Sequence, residues 1–460
     1  MGTIDRRSLL KTGFAGGLFG VSGLLARPAL AGSALRRDFG NSRVGYGDIK
    51  PTAAKNTGEK LLALPEGFEY TVFGKVGSKM TDGHLTPGAH DGMAAMNHRG
   101  KIRIVRNHEV RNDPAKEKAF GNARNAYDKL GGGGTTTIEI DPVTRELTRD
   151  FVSLSGTIVN CAGGRTPWGT WLSCEETTAG HGRSKVYHKD TEQGGGYEKE
   201  HGFNFEVAFA DDKPARPVPL VEMGRFVHEA IAVDPSTGIV YQTEDHGTAG
   251  FYRFLPNVVG KLSQGGRLQM AKVRNQPLVD TRKNQKVGQS YEIEWVDIKD
   301  PSPSTAWENE LAVGNQGREL GAMTFARLEG AWYADGAIYL NSTNGGNAGK
   351  GQVWKYVPQG EATGQLVLLF ESPGAEVLDM PDNLCVTPRG ALVVCEDGDG
   401  TNYVRGLSKD GLLFDFALNL HNNSEFTGAT FSPDGETLFF NIQNPGMTFA
   451  VWGPWTRGVF

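Results

Sequence analysis

"AIAVDPSTGIVYQTEDH", Ala230 to His246, decides the fold. Apolar residues alternate on both sides of a D-P-S-T-G turn. Pro pre-sets its own φ there, Asp hydrogen-bonds local backbone, and Gly takes a positive φ at little cost. Two alternating runs around such a turn make a β-hairpin. The same design recurs in "NLCVTPRGALVVCEDG" from Asn383 and "GATFSPDGETLFFNIQ" from Gly428. Looser copies are "WYADGAIYLNSTNGG" from Trp332 and "TIEIDPVTRELTRDF" from Thr137. Hairpins repeated along most of a chain, with almost no helical periodicity, imply radial repetition. The expected fold is therefore all-β, closing as a β-propeller. Six blades of ~40–50 residues plus loops suit the length best, with five or seven as alternatives. A few short inserted helices are expected, the main one over 112–129.

The 460 residues are 38 % apolar and 22 % charged, as in an ordinary globular chain. The formal net charge is −5, and no basic stripe appears, which argues against nucleic acid as a partner. Arg6 and Arg7 precede a mild, glycine-rich apolar run that ends at Ala29–Ala31. Residues 1–31 read as a Tat export signal, with the Tat machinery as partner and a periplasmic or extracellular destination. The run is too short and too weakly apolar for a stable membrane span. Residues 32–60 read as an N-terminal arm and 61–460 as one propeller domain. "GGGG" at 131–134 lacks the Lys-Ser/Thr of a phosphate-cradling loop. Of the four cysteines, Cys161–Cys174 and Cys385–Cys395 are the hairpin-spanning pairs that an oxidising compartment permits as disulfides. A two-residue turn within "PRGA" would put Cys385 and Cys395 on opposite faces.

Acids gather at the ends of these hairpins. They stand in "CEE" (Cys174, Glu175, Glu176), "HEA" (Glu229), "TEDH" (Glu244, Asp245), "RLEG" (Arg327, Glu329) and "CEDG" (Glu396, Asp397). "RNHE" adds Glu109 and "AHDGM" adds Asp91. In a propeller such ends converge on one channel. Like charges brought together at low dielectric persist only with cations or protons among them. Oxygen-rich sets suit calcium. A thiolate among them favours iron or zinc. Taken singly, each pair is as well explained by a solvated loop, and Cys174 by a buried small apolar side chain. Neither a G-x-S-x-G elbow nor an H-E-x-x-H zinc motif is present. Strand alternation lets only one of Glu175 and Glu176 face the channel.

"NCAGGRTPWGTWLSCEE", "GRFVHEAIAVDPSTGIVYQTED", "FYRFLP", "RLEG" and "PDNLCVTPRGAL" together resemble the PhoX family of Tat-exported alkaline phosphatases. The likeness runs from about residue 80 to the C-terminus. It implies a six-bladed propeller with a central cluster of ferric iron and calcium, and phosphate esters as substrates. It implies Cys174, Glu229 and Glu329 as cluster ligands, and Arg327 as the arginine that grips substrate phosphate. Arg165, before "TPWG", is the candidate second phosphate contact. Glu109, Glu175, Asp245, Asp382 and Glu396 are candidate calcium ligands by position and chemistry. "TEDH" in place of an aspartate-rich pair, and "CEE" followed by Thr177 and Thr178, depart from the family pattern. The rival readings are a calcium-dependent propeller lactonase and a non-catalytic propeller with structural metals.

Overall fold

The computed structural model describes residues 44–110, 118–180 and 197–460. The export signal, and parts of the arm and of the 112–129 helix, lie outside them. The hairpins read from turn chemistry are present. His228–Val233 pairs antiparallel with Val240–Glu244, and Asp234 closes the turn. The Asp234 carboxylate accepts from the Ser236 backbone N–H (2.9 Å), the Ser236 hydroxyl (2.7 Å) and the Thr237 hydroxyl (3.0 Å).

The described strands form four blade-like sheets and one nine-stranded sheet, in a propeller-like all-β arrangement. The nine-stranded sheet runs from His228–Val233 outward to Ser290–Asp297, then back inward to Leu328–Ala334. The last sheet is completed from the other end of the chain. Met447–Trp452 pairs with Glu69–Phe73. Ile49–Thr52 and Leu62–Pro65 likewise extend the sheet of Leu413–Asn419, so the arm is paired backbone over Ile49–Thr52. The only α-helix among the described residues is Ala312–Glu319. Within 118–129 there is a single 3-10 turn, Ala123–Asn125, in place of the expected helix. Gly121 and Asn122 favour turn over helix there, and the Asn122 side chain caps the short turn. No helix among the described residues is long and apolar enough to cross a membrane.

Six strands stand innermost: His90–His98, Asn160–Arg165, His228–Val233, Leu328–Ala334, Pro381–Val386 and Phe426–Phe431. Each packs on the next, and the last packs on the first, so they close a ring. Several are buried on both faces, which explains their near-continuous small and apolar sequences. Close approach is built into them. A Cβ on Gly92 would sit 2.5 Å from Ala162 Cα, and one on Gly330 would sit 2.5 Å from the Asp382 carbonyl oxygen.

All four cysteines are free and buried. The Cys385–Cys395 hairpin has a three-residue loop, since Val386 pairs with Leu392 and the Thr387 N–H donates to the Ala391 carbonyl. That register puts both side chains on the same face, not on opposite faces. They sit in one apolar cluster.

Candidate metal centre

Every innermost strand opens with a similar four-residue unit. The units are H-D-G-M (90–93), N-C-A-G (160–163), H-E-A-I (228–231), L-E-G-A (328–331), P-D-N-L (381–384) and F-T-G-A (426–429). In each, the pairing to the following strand slips within the first few residues, between His90 and Met93 in the first and between Thr427 and Thr430 in the last. Such an irregularity re-aims a side chain that regular pleating would tuck away. The second residue of five units lines one central cavity: Asp91, Cys161, Glu229, Glu329 and Asp382. In the sixth unit that residue is Thr427, whose hydroxyl donates to the His90 carbonyl (2.8 Å), and Glu425 lines the cavity instead.

The partner strands supply a second set. The last residue of each pairs with the first residue of an inner strand, as in His90 with His108, Asn160 with Glu175, His228 with Glu244 and Pro381 with Glu396. One residue further on, alternation turns the side chain inward. Glu109, Glu176, Asp245, Asp397 and Gln443 therefore line the cavity. Their neighbours face the blades. Glu175 accepts from the Ile158, Gly202 and Phe203 backbone N–H groups (3.0, 2.9 and 3.2 Å) and contacts His201 Nδ1 (2.6 Å). Glu396 accepts from the Asp379 and Tyr403 N–H groups (both 3.0 Å) and from Arg405 Nε (2.8 Å).

The cavity, about 60 Å³, thus gathers nine carboxyl groups and the Cys161 thiol around one guanidinium, Arg327. Burial pushes the Asp382 carboxyl up to about 6. Burial, with Asp382 beside it, pushes Asp397 up to about 7. Glu229 and Asp91 go well above the carboxylate range, first by burial, then by neighbouring carboxylates. Burial, Glu229 and Glu176 raise the Cys161 thiol. Asp91 Oδ1 is buried without any hydrogen bond. Buried groups with this much like charge call for cations.

Arg327 has a left-handed backbone, φ 43°, directly before its inner strand. Ala89, Val159 and Met380 hold the same conformation before theirs, at φ 46°, 49° and 55°. That costs of order 1–3 kcal/mol for a non-glycine residue and is characteristic of functional sites. It turns the Arg327 N–H onto the His246 carbonyl (2.9 Å) and the side chain over the cavity. Its Nε and Nη2 donate to the two Asp245 oxygens (2.8 and 3.3 Å), and Nη2 also meets Glu329. Burial alone would lower its pKa, but Glu329 and Asp245 prevail and raise it.

Of the hairpin-end residues read from sequence, the structure brings together Asp91, Glu109, Glu176, Glu229, Asp245, Arg327, Glu329, Asp382 and Asp397. It places Glu175 and Glu396 in the adjoining blades. Cys174 and Cys161 both border one apolar cluster with Leu172, Ile231 and Val240, but only Cys161 lines the cavity. It is Cys161 whose sulfur faces the carboxylates. Its ligand atom and those of Glu176 and Glu229 all lie within 4.8 Å of one another. Arg165 stands four residues beyond Cys161 on the same strand, about 13 Å away at the usual rise. Its guanidinium lies over the Trp332 ring, 5.3 Å from the centroid, and it is not among the residues lining the cavity. The recurring acid-or-cysteine at the second position of these units was the sequence signal that would have selected Cys161. Glu176 and Asp397 needed the register.

Comparison with protein families finds a match to the one described as alkaline phosphatase PhoX, over residues 44–150 and 141–446. No curated protein sequence matches. Among solved structures, a PhoX of Pseudomonas fluorescens in complex with vanadate, a transition-state analogue, is similar at 17 % identity and TM-score 0.66. The match covers 90 % of this chain and 99 % of that one. A gluconolactonase of Xanthomonas campestris is similar at 11 % identity and TM-score 0.41, covering 90 % and 97 % of the two chains.

Proposed function

The chain belongs to the alkaline phosphatase PhoX family, and from that premise we propose that it is an exported phosphomonoesterase working at a metal cluster in the central cavity. The observation that carries this reading is the mismatch of charge: nine carboxyl groups and a thiol around a single guanidinium. The donor set fits the expected metals. Cys161, Glu176 and Glu229 mix one soft and two hard ligands, which suits iron. Asp91, Glu109, Asp382, Asp397 and Glu425 offer oxygen alone, which suits calcium. Bound there, such cations supply Lewis-acid stabilisation of phosphate oxygens and an activated water.

The chain's own part follows from Arg327. A phosphate monoester entering the mouth presents its non-bridging oxygens to the guanidinium, which Asp245 and Glu329 hold in place. In-line attack forms a new P–O bond to water's oxygen and breaks the P–O bond to the leaving alcohol. Orthophosphate remains, and the alcohol departs carrying a proton that originates from the water. Arg327 stabilises charge spread over the equatorial oxygens.

The nine-stranded sheet reads as two blades joined by Ser290–Asp297, which makes six in all and six inner strands at the cavity. Arg6-Arg7 supports Tat export to the periplasm or beyond. The test is hydrolysis of p-nitrophenyl phosphate by protein exported from its native host, with elemental analysis before and after EGTA. Iron with calcium, and activity lost with the metals, is the expected result. Undiminished turnover by metal-free protein would refute the mechanism.

A further inference from the structure

A second cleft, about 410 Å³, opens beside the central cavity. Its walls include Gly247 and Ala326. Each is within two residues of a cavity group, Asp245 and Arg327 respectively. The chain thus passes from one space to the other within two residues at both places. The volume is that of a small-molecule site, whereas the central cavity has room for little beyond ions and a phosphoryl group. Whatever the phosphate is attached to must lie outside the central cavity.

The cleft is lined by Arg282 and Lys283, and they differ. The Arg282 guanidinium is neutralised by Asp280, with Nε–Oδ1 at 2.9 Å and Nη2–Oδ2 at 2.7 Å. Its Nη1 also donates to the Gly247 carbonyl (3.2 Å). Arg282 thus ties the cleft wall to the strand end that carries Asp245. Lys283 is exposed and has no ion pair among the described residues. Its backbone is nevertheless fixed on both sides. The Gly346 N–H donates to the Arg282 carbonyl (2.9 Å), and the Asn284 N–H donates to Asn347 Oδ1 (3.0 Å). A cation held on a pinned loop at the edge of a substrate-sized cleft is pre-organised to meet an anion.

We infer that this cleft seats the leaving group of the substrate, and that Lys283 recognises a second phosphate carried on it. The preferred substrates are then bisphosphorylated small molecules, cleaved at the phosphate that reaches Arg327. The inference rests on the phosphatase reading.

The test compares fructose 1-phosphate with fructose 1,6-bisphosphate, using metal-loaded protein from its native host. Phosphate release is followed, with p-nitrophenyl phosphate as reference. Wild type should favour the bisphosphate in kcat/KM. Lys283→Ala should lower kcat/KM for the bisphosphate about tenfold, mostly through KM, as expected for one charge-assisted contact. Fructose 1-phosphate and p-nitrophenyl phosphate should be unaffected. Lys283→Glu should lower the bisphosphate further, and Lys283→Arg should restore it. Equal preference in wild type, or equal loss for both fructose esters in Lys283→Ala, would overturn the inference while leaving the phosphatase reading intact. No turnover of p-nitrophenyl phosphate would overturn the phosphatase reading and this inference with it.

Discussion

Glu175 and Glu176 are neighbours in the chain and opposites in the fold. Glu175 is fully buried and completely answered: three backbone N–H groups and His201 surround its carboxylate. Glu176 faces a cavity where acids outnumber the one guanidinium nine to one. The same contrast separates Glu396, held by Arg405 and two backbone N–H groups, from Asp397 beside it. A buried acid is thus no pointer to function by itself. The pointer is a cluster of acids that outnumbers the cations the protein places among them. An excess of like charge in a confined cavity is expensive, and it is relieved only by protons or cations from solution.

The contrast is broken most severely by emptying the open side. Glu329→Ala removes an acid that also holds Arg327, so bound metal and phosphatase activity should vanish together, checked by elemental analysis and p-nitrophenyl phosphate turnover. Arg327→Ala should separate the two: metal retained, kcat lower by about 10²–10³, the scale of one lost transition-state donor. On the answered side, Glu175→Gln should leave stoichiometric metal binding possible but cost roughly 3–5 kcal/mol of stability, because His201 and Asp128 then remain buried as an incomplete network. Denaturant unfolding of the purified variant measures it.

How much of this was legible in sequence depended on period and register. Turn chemistry such as D-P-S-T-G showed the hairpins, and their repetition showed the propeller-like class. Acids at hairpin ends showed that a charged centre would form, and Glu229, Glu329, Asp382 and Arg327 reached it. What sequence could not settle was parity. Glu175 against Glu176, and Glu396 against Asp397, differ by one residue in a structure of period two. Only the pairing of Asn160 with Glu175 and of Pro381 with Glu396 decides which one turns inward. The irregularity near the start of each inner strand added a further shift that no hydrophobic pattern reports. The expected helix fails differently over 118–129, the part of it that the structure describes. Its alanines and lysines favour helix, while Gly121 and Asn122 break it.

The answered side also has its own pH signature. Burial alone would lower the His201 pKa, but Glu175 and Asp128 raise it to about 9 from 6.5. A group with a raised folded pKa stabilises fully below its unfolded value and loses that contribution as pH rises through the folded one. Stability should therefore fall between pH 6.5 and about 9, by up to roughly 3 kcal/mol. Thermal melts of metal-loaded protein across that range should show the decline. Glu175→Gln should flatten it, since the partner that holds the proton on His201 is gone.

The smallest expected effect divides the two cysteines of the same hairpin. Cys174 is packed among Leu172, Ile231 and Val240 and is not among the residues lining the cavity. Cys174→Ala should cost about 1 kcal/mol, the usual size for trimming one buried atom group, and leave the metal content unchanged. Cys161→Ala removes a side chain of identical size, so its packing cost should be similar. Any excess effect then belongs to the sulfur itself. Iron lost from Cys161→Ala but kept in Cys174→Ala, with calcium retained in both, would assign the soft ligand to the bulged position of the inner strand. Iron lost from Cys174→Ala alone would place it on the partner strand and reverse the comparison of answered and open sites at this hairpin.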